Sequence, residues 1–284
     1  MRNFLHMILQ DYEHTGTGFF DVGAFKFWHF FYMALIIGGI VALALIFKNK
    51  SEGAKKKLLD ILPLIVIGLY ISDLFLRPFI DLDGIFDQSI KGYLDKLPFH
   101  ICTAMGIMSV FAQHSKKFQK IKEPLVIFGI VGPLMYLTYP DTVFGSRMPF
   151  CYNTVQTMAY HGVLLAWGVL CLVFSQPKAS IKNWHKSLIT LACLASWGLF
   201  GNILFSDMSS VDKWFESFDW FFLKSGAVLF KEELWAAIIA PFGVPLAMFA
   251  TAMCVYGIYH LAKYIATKSQ KTEKKVEEKE TANV

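Results

Sequence analysis

Leu97-Pro98-Phe99-His100-Ile101-Cys102-Thr103-Ala104-Met105-Gly106 opens an apolar run that reaches about Ala112, and reading it as a membrane-spanning helix decides the fold. The same stretch puts a histidine and a cysteine in the helix's first turns. Ionisable and nucleophilic side chains are costly inside a span, so they mark a functional site by default. A thiolate that attacks and an imidazole that handles the proton together suffice for acyl transfer. The plainer alternative is a small core cysteine beside a hydrogen-bonded core histidine.

Working outward, segments near 27–48, 58–80, 123–139, 154–174, 187–206 and 236–263 join 97–114 in approaching the roughly 20 apolar residues a span needs. With 55% hydrophobic and 17% charged residues and a mean hydropathy of +0.45, the chain is too apolar for a soluble domain of its length. The sequence therefore predicts an all-α polytopic membrane helical bundle of about seven transmembrane helices. Residues 1–263 form one transmembrane domain, and 264–284 a disordered or fraying Lys/Glu/Thr tail. Gly132-Pro133 should kink the fourth span, and Pro241 and Pro245 should break or tilt the last.

The net charge of +5 points to no nucleic acid, because the lysines sit in short clusters beside the apolar runs. Five cysteines, four of them inside apolar runs and none in CxxC spacing, make neither a disulfide framework nor a zinc site. No metal or cofactor is expected. The segment Met1–His6 lacks an apolar core and a small-residue cleavage site, so no removable signal peptide is expected.

Orientation follows from the lysines. Lys48, Lys50 and Lys55–Lys57 fall on one side, with Lys116, Lys117, Lys120 and Lys122, then Lys178, Lys182 and Lys186, then the tail. The opposite connections carry Asp81, Asp83, Asp87 and Asp95, then Asp207, Asp212, Glu216 and Asp219. The positive-inside rule puts the N-terminus outside and the C-terminus in the cytoplasm of a cell membrane. The aromatic-rich stretch Ser206–Leu234, with Trp214, Phe215, Phe218, Trp220, Phe221 and Phe222, reads either as a segment lying in the outer interface or as an ordinary aromatic belt.

With orientation fixed, each polar residue acquires a depth. His100 and Cys102 lie roughly 5–8 Å from the outer end of span three, and His161 about 10 Å along span five. Asp73, Arg77, Asn202, His29, Tyr136, Tyr139 and Asp141 fall toward the same side. The inner halves are nearly all Leu, Ile, Val, Ala and Phe, so the distribution predicts one polar cavity in the outer leaflet. Snorkelling to water is the alternative, and it suits His29, Arg77 and Asp141 better than Cys102, His161 and Asn202. His100 and Cys102, two residues apart, would point about 200° from each other around a helix. His161 is then the better base for Cys102, within roughly 3–6 Å. His100, Asp73, Arg77, Asn202 and Tyr136 are left as substrate-binding or orienting groups, Asn202 as an oxyanion donor or orienter. Cys151 is a rival partner for Cys102, as a disulfide.

Leu97-Pro98-Phe99-His100-Ile101-Cys102 resembles the LPLHLC signature of the YwaF-like integral membrane family, which has a eukaryotic branch of cysteine-dependent phospholipid acyltransferases. The similarity recurs in order at Phe25–His29, at Tyr139-Pro140-Asp141, at Tyr160-His161-Gly162-Val163-Leu164-Leu165 (SHGLL in the family) and at Asp219-Trp220-Phe221-Phe222-Leu223 (NYMFL in the family). The resemblance implies an outer or luminal site in which the residues matching Cys102 and His161 form and resolve an acyl thioester. Tyr160 in place of Ser and Asp219-Trp220 in place of Asn-Tyr are departures that bear on specificity.

Three functions compete: an acyltransferase (or lipid hydrolase) acting on outer-leaflet phospholipid with an acyl-donor lipid, a lipid- or solute-binding transporter without chemistry, and a structural scaffold. No internal repeat, as transporters often carry, is visible. The sequence leaves oligomeric state open. Protease added to intact cells should leave residues 264–284 uncut, and loss of that tail would overturn the orientation.

Overall fold

The computed structural model describes residues 25–80, 97–138, 149–206, 209, 219–220, 223 and 234–282, with backbone alone at 76–80, 153, 234–237 and 270–282. Among these the chain is all-helical, with helices α1 (Phe27–Lys48), α2 (Glu52–Ile80), α3 (Ile101–His114), α4 (Lys122–Thr138), α5 (Tyr152–Val173), α6 (Trp184–Phe205) and α7 (Leu234–Ala282). Short 3₁₀ turns at Lys116–Ile121 and Ile181–Asn183 lead into α4 and α6. Six helices are long and apolar enough to cross a membrane, and α3 is a shorter apolar one. The sequence predicts seven of spanning length. The difference lies at Leu97–His100, where His100, with φ −71° and ψ 145°, is the N-cap and stands outside the helix. The helix therefore starts at Ile101 and is 14 residues long.

Two further expectations change. The last helix runs unbroken through Pro241 and Pro245 and continues to Ala282. Thus the segment 264–282, expected to be disordered or fraying, is helical in its backbone, as its many Lys, Glu and Ala residues favour. The interfacial expectation for Trp214, Phe215, Phe218, Phe221 and Phe222 lies outside the described residues. Trp220 is fully buried.

α4 occupies the centre. It is apolar all round, as a helix surrounded by others must be, and Leu125, Val126, Ile127, Phe128 and Val131 have essentially no exposure. It packs on α5, α3, α6 and α7, while α5 also packs on α2 and α1. Large apolar side chains on the outer faces of α1 (Leu35, Ile37, Val41, Leu45) and α7 (Ile238, Phe242, Leu246) are exposed, as they are on a surface wetted by lipid.

Between spans there is no hydrophobic force beyond what lipid offers, so small residues that admit close approach decide where helices touch. A Cβ on Gly168 of α5 would lie 2.6 Å from Ile130 Cγ1 and 3.1 Å from the Val126 carbonyl oxygen. A Cβ on Gly129 of α4 would lie 2.9 Å from Trp167 Cζ3. The two helices therefore meet backbone to backbone at these glycines.

The lysine-rich end holds polar groups to which the sequence reading gave no partners. The Asp60 carboxylate accepts from Gln113 Nε2 (2.6 Å) and Lys56 Nζ (2.7 Å). The Glu123 carboxylate accepts from Ser180 N–H (2.7 Å), Asn183 Nδ2 (2.6 Å) and Tyr256 O–H (3.3 Å). Gln113, Lys122, Glu123 and Ser187 are buried, so the inner half, expected to be nearly all Leu, Ile, Val, Ala and Phe, also holds buried polar groups. These groups lie at helix ends, where backbone donors of the connections need acceptors.

Gly168→Ala should lower the stability of the reconstituted protein by about 1–3 kcal/mol, because backbone lies in the way of the new methyl. Gly38→Ala, with nothing within 4 Å of the added carbon, serves as the control and should leave thermal unfolding nearly unchanged.

Candidate functional site

Three spacings bring the site together. Along α4, Gly129, Gly132 and Tyr136 follow at intervals of three and four residues and share one face. His161, Leu164 and Gly168 do the same along α5. Because the helices run in opposite directions and touch at Gly129 and Gly168, the register carries Tyr136 to His161. Their rings stack with centroids 3.8 Å apart and planes 12° apart. At Gly132 of that face, the Cys102 sulfur of α3 lies 3.4 Å from the position a Cβ would take. One face of α4 thus touches the thiol and, one turn or about 5.4 Å further on, the imidazole.

Tyr160 joins α3 to α5. Its hydroxyl donates to the Cys102 carbonyl at 2.8 Å and fills the notch over Gly106, where a Cβ would come within 2.1 Å of that oxygen. His161 Nδ1 lies 2.8 Å from the Thr157 carbonyl oxygen. A carbonyl only accepts, so Nδ1 carries the proton, and in the neutral ring Nε2 bears the lone pair. Asp73 of α2 is buried and within electrostatic reach of Tyr70, which in turn reaches Tyr160. Cys102, His161, Tyr136 and Asp73 therefore belong to one cluster, and Tyr160 and Tyr70 complete it. Sequence reasoning noted Tyr160 only as a departure from a motif, yet its place one residue before His161 on a predicted span was a usable signal.

The other expected residues stand elsewhere. His100 is the N-cap of α3, with φ −71° and ψ 145°, so the 200° argument made for a helical His100 does not apply to it. It stays half-buried at the mouth of α3, its carbonyl accepting from Ala104 N–H at 2.9 Å. Asn202 is fully buried and clamps Trp220: Nδ2 donates to the Trp220 carbonyl (2.9 Å), and Oδ1 accepts from its N–H (2.7 Å). The Trp220 ring packs on Phe99 at 4.9 Å, Phe99 covers Gly201, and Trp197 Nε1 donates to the Pro98 carbonyl at 2.7 Å. Asn202 thus acts on the entry segment of α3 instead of on the thiol. Arg77's side chain, Tyr139 and Asp141 lie outside the described residues.

His29 does not snorkel. It is buried, its Nδ1 accepts from Phe25 N–H at 2.9 Å, and its Nε2 therefore donates to the Leu137 carbonyl at 2.7 Å. That carbonyl belongs to the last turn of α4, where no intrahelical donor remains. None of the five cysteines is disulfide-bonded, so the Cys102–Cys151 bridge is not formed, and Cys151 Sγ instead lies 3.1 Å from Thr154 Oγ1.

Fold and cluster together define a multi-pass helical membrane protein with a thiol, an imidazole and three phenols gathered between its helices. The sequence profile of the TMEM164 family, a family of transmembrane proteins, matches residues 24–259, and the chain belongs to that family. No curated protein and no solved structure matches it. The family match carries neither the YwaF-like relationship nor acyl-transfer chemistry.

Asn202→Leu should cost about 1–3 kcal/mol, since it removes the described partners of two buried Trp220 backbone groups. Faster proteolysis around residue 220 in the folded protein would report the same loss, and unchanged stability would show that the clamp is dispensable.

Proposed function

We propose that the protein is a membrane-embedded acyltransferase that moves a fatty acyl group between phospholipids or lysophospholipids through a Cys102 thioester. The observation that carries this reading is that α4 contacts both groups: the Cys102 sulfur approaches it at Gly132, and the His161 ring stacks on its Tyr136. The proton arrangement supports it, since a ring protonated at Nδ1 offers Nε2 as the base.

In the first half-reaction His161 Nε2 takes the thiol proton and the thiolate attacks the ester carbonyl carbon of the donor lipid. The carbon–oxygen bond breaks, the proton passes to the departing lysolipid oxygen, and an acyl-Cys102 thioester remains. In the second half, His161 deprotonates the acceptor hydroxyl, whose oxygen attacks the thioester, and the thiol takes back its proton. Water in place of the acceptor gives lipid hydrolysis. The lysine distribution supports a site facing the outer leaflet, reached by donor and acceptor lipids. The competing reading, a binding protein or transporter with no covalent step, draws on Asn202, whose amide is engaged with Trp220 and supplies no oxyanion donor.

Purified protein given a labelled phospholipid donor and a lysolipid acceptor distinguishes the two. Cys102→Ala should abolish transfer, and His161→Ala should slow it by the factor of about 10²–10⁴ typical of a general base. Intact mass should reveal an acyl adduct on Cys102 in the wild type alone. If the wild type turns over no lipid in a broad panel and binds lipid equally with and without Cys102, the enzyme reading fails.

A further inference from the structure

The contact between Tyr136 and His161 is more specific than packing requires. At 3.8 Å and 12° the two rings lie nearly face to face. Neutral aromatic pairs prefer offset or edge-on arrangements, because face-to-face stacking sets one negative π-face against another. A cation over a π-face has the opposite preference and is attracted by the ring quadrupole, more strongly where water is excluded. A nearly parallel ring at this distance sets the imidazole against the tyrosine π-face, where a proton taken up by the ring is attracted to it. Two further contacts hold the ring in that plane: Nδ1 is tied to the Thr157 carbonyl in either protonation state, and Tyr160 meets the imidazole edge-on at 5.3 Å and 77°.

We propose that Tyr136 is a positioning residue for the base: its ring face fixes the plane of the His161 imidazole and stabilises the form that has taken up a proton. Tyr136 then serves the base and not the substrate, the role the sequence reading gave it. Its purpose rests on the acyl-transfer reading, because a base beside Cys102 must hold the thiol proton while the thiolate attacks. Its physical content does not, because proton binding by His161 is measurable without any substrate. With its Nδ1 proton held by Thr157, the ring exchanges its second proton at Nε2.

The experiment is a histidine NMR titration of the full-length protein in lipid nanodiscs, with the His161 signal identified by its loss in His161→Gln. Wild type is compared with Tyr136→Phe and Tyr136→Leu. Stabilising the protonated form raises the titration midpoint, so removing the aromatic face must lower it. Tyr136→Leu should weaken proton binding by roughly 3- to 30-fold, and Tyr136→Phe, which keeps the face, should titrate like the wild type. The other titratable groups of the cluster, Cys102 on α3, Tyr160 on α5 and Tyr70 and Asp73 on α2, are the same in all three proteins, as is His29 on α1.

Because leucine leaves a gap, a second series keeps the shape: phenylalanine with one, two and three ring fluorines at position 136. Withdrawing electrons from the face should lower the midpoint stepwise. An unchanged midpoint in Tyr136→Leu, a flat fluorine series, or a Tyr136→Phe shift as large as that of leucine would overturn the proposal. If the wild type turns lipid over, the acid limb of kcat/KM should move with the midpoint. If no lipid is turned over, the ordering of midpoints still decides the role of Tyr136 while the acyltransferase reading falls separately.

Discussion

The bundle depends on the meeting of two glycines. Gly129 and Gly168 let α4 and α5 approach until a side-chain carbon at either position would overlap its neighbour. In a bilayer such dispersion contact is a main source of helix affinity, and it falls off steeply with distance. That contact fixes the register of two antiparallel helices, and two turns further along each helix the same register lays His161 on Tyr136. Shape at one depth thus sets chemistry at another, without a charged pair to hold it.

The ends of the bundle are organised differently. At the lysine-rich end, Asp60 and Glu123 each collect several donors and tie α2 to α3, and α4 to the α5–α6 connection and α7. At the opposite end isolated links join separate elements: His29 to Leu137, Tyr32 O–H to the Pro149 carbonyl and Tyr160 to Cys102 by one hydrogen bond each, and Asn202 to Trp220 by two. The first end resembles a network that shares the loss of any member. The second is a set of separate links, so residues there can change one at a time. The candidate site lies among the separate links.

Fold class and most helix limits were legible because hydropathy over some 20 residues integrates many side chains, and single exceptions average out. The grouping of Cys102 with His161 and Tyr136 was legible as shared depth along the spans. Depth cannot say which way a side chain turns, and Asn202 illustrates this: at the right level, it faces Trp220 on the far side of Phe99. His29 was misread because a histidine near a span end looks the same whether it meets water or the last carbonyl of another helix. Gln113 and Glu123 fell at the ends of predicted spans with no partner assigned, since polar groups at helix ends carry no periodic signal separating solvated from buried ones.

The brevity of α3 has a mechanical consequence. Fourteen residues rise about 21 Å, against a hydrocarbon layer of about 30 Å. The turn Leu97–His100 then makes up part of the difference at the N-terminal end of α3, and non-helical backbone survives at membrane depth only when protein satisfies it. Here Trp197 serves the Pro98 carbonyl, and Phe99 N–H turns back to the Leu97 carbonyl at 2.7 Å. A short helix among long ones invites the bilayer to thin beside it, at a cost of fractions of a kcal/mol per ångström of mismatch. Lipid thickness then becomes a control variable: thinner membranes relieve the mismatch around α3, and thicker ones press acyl chains over the entry to Cys102.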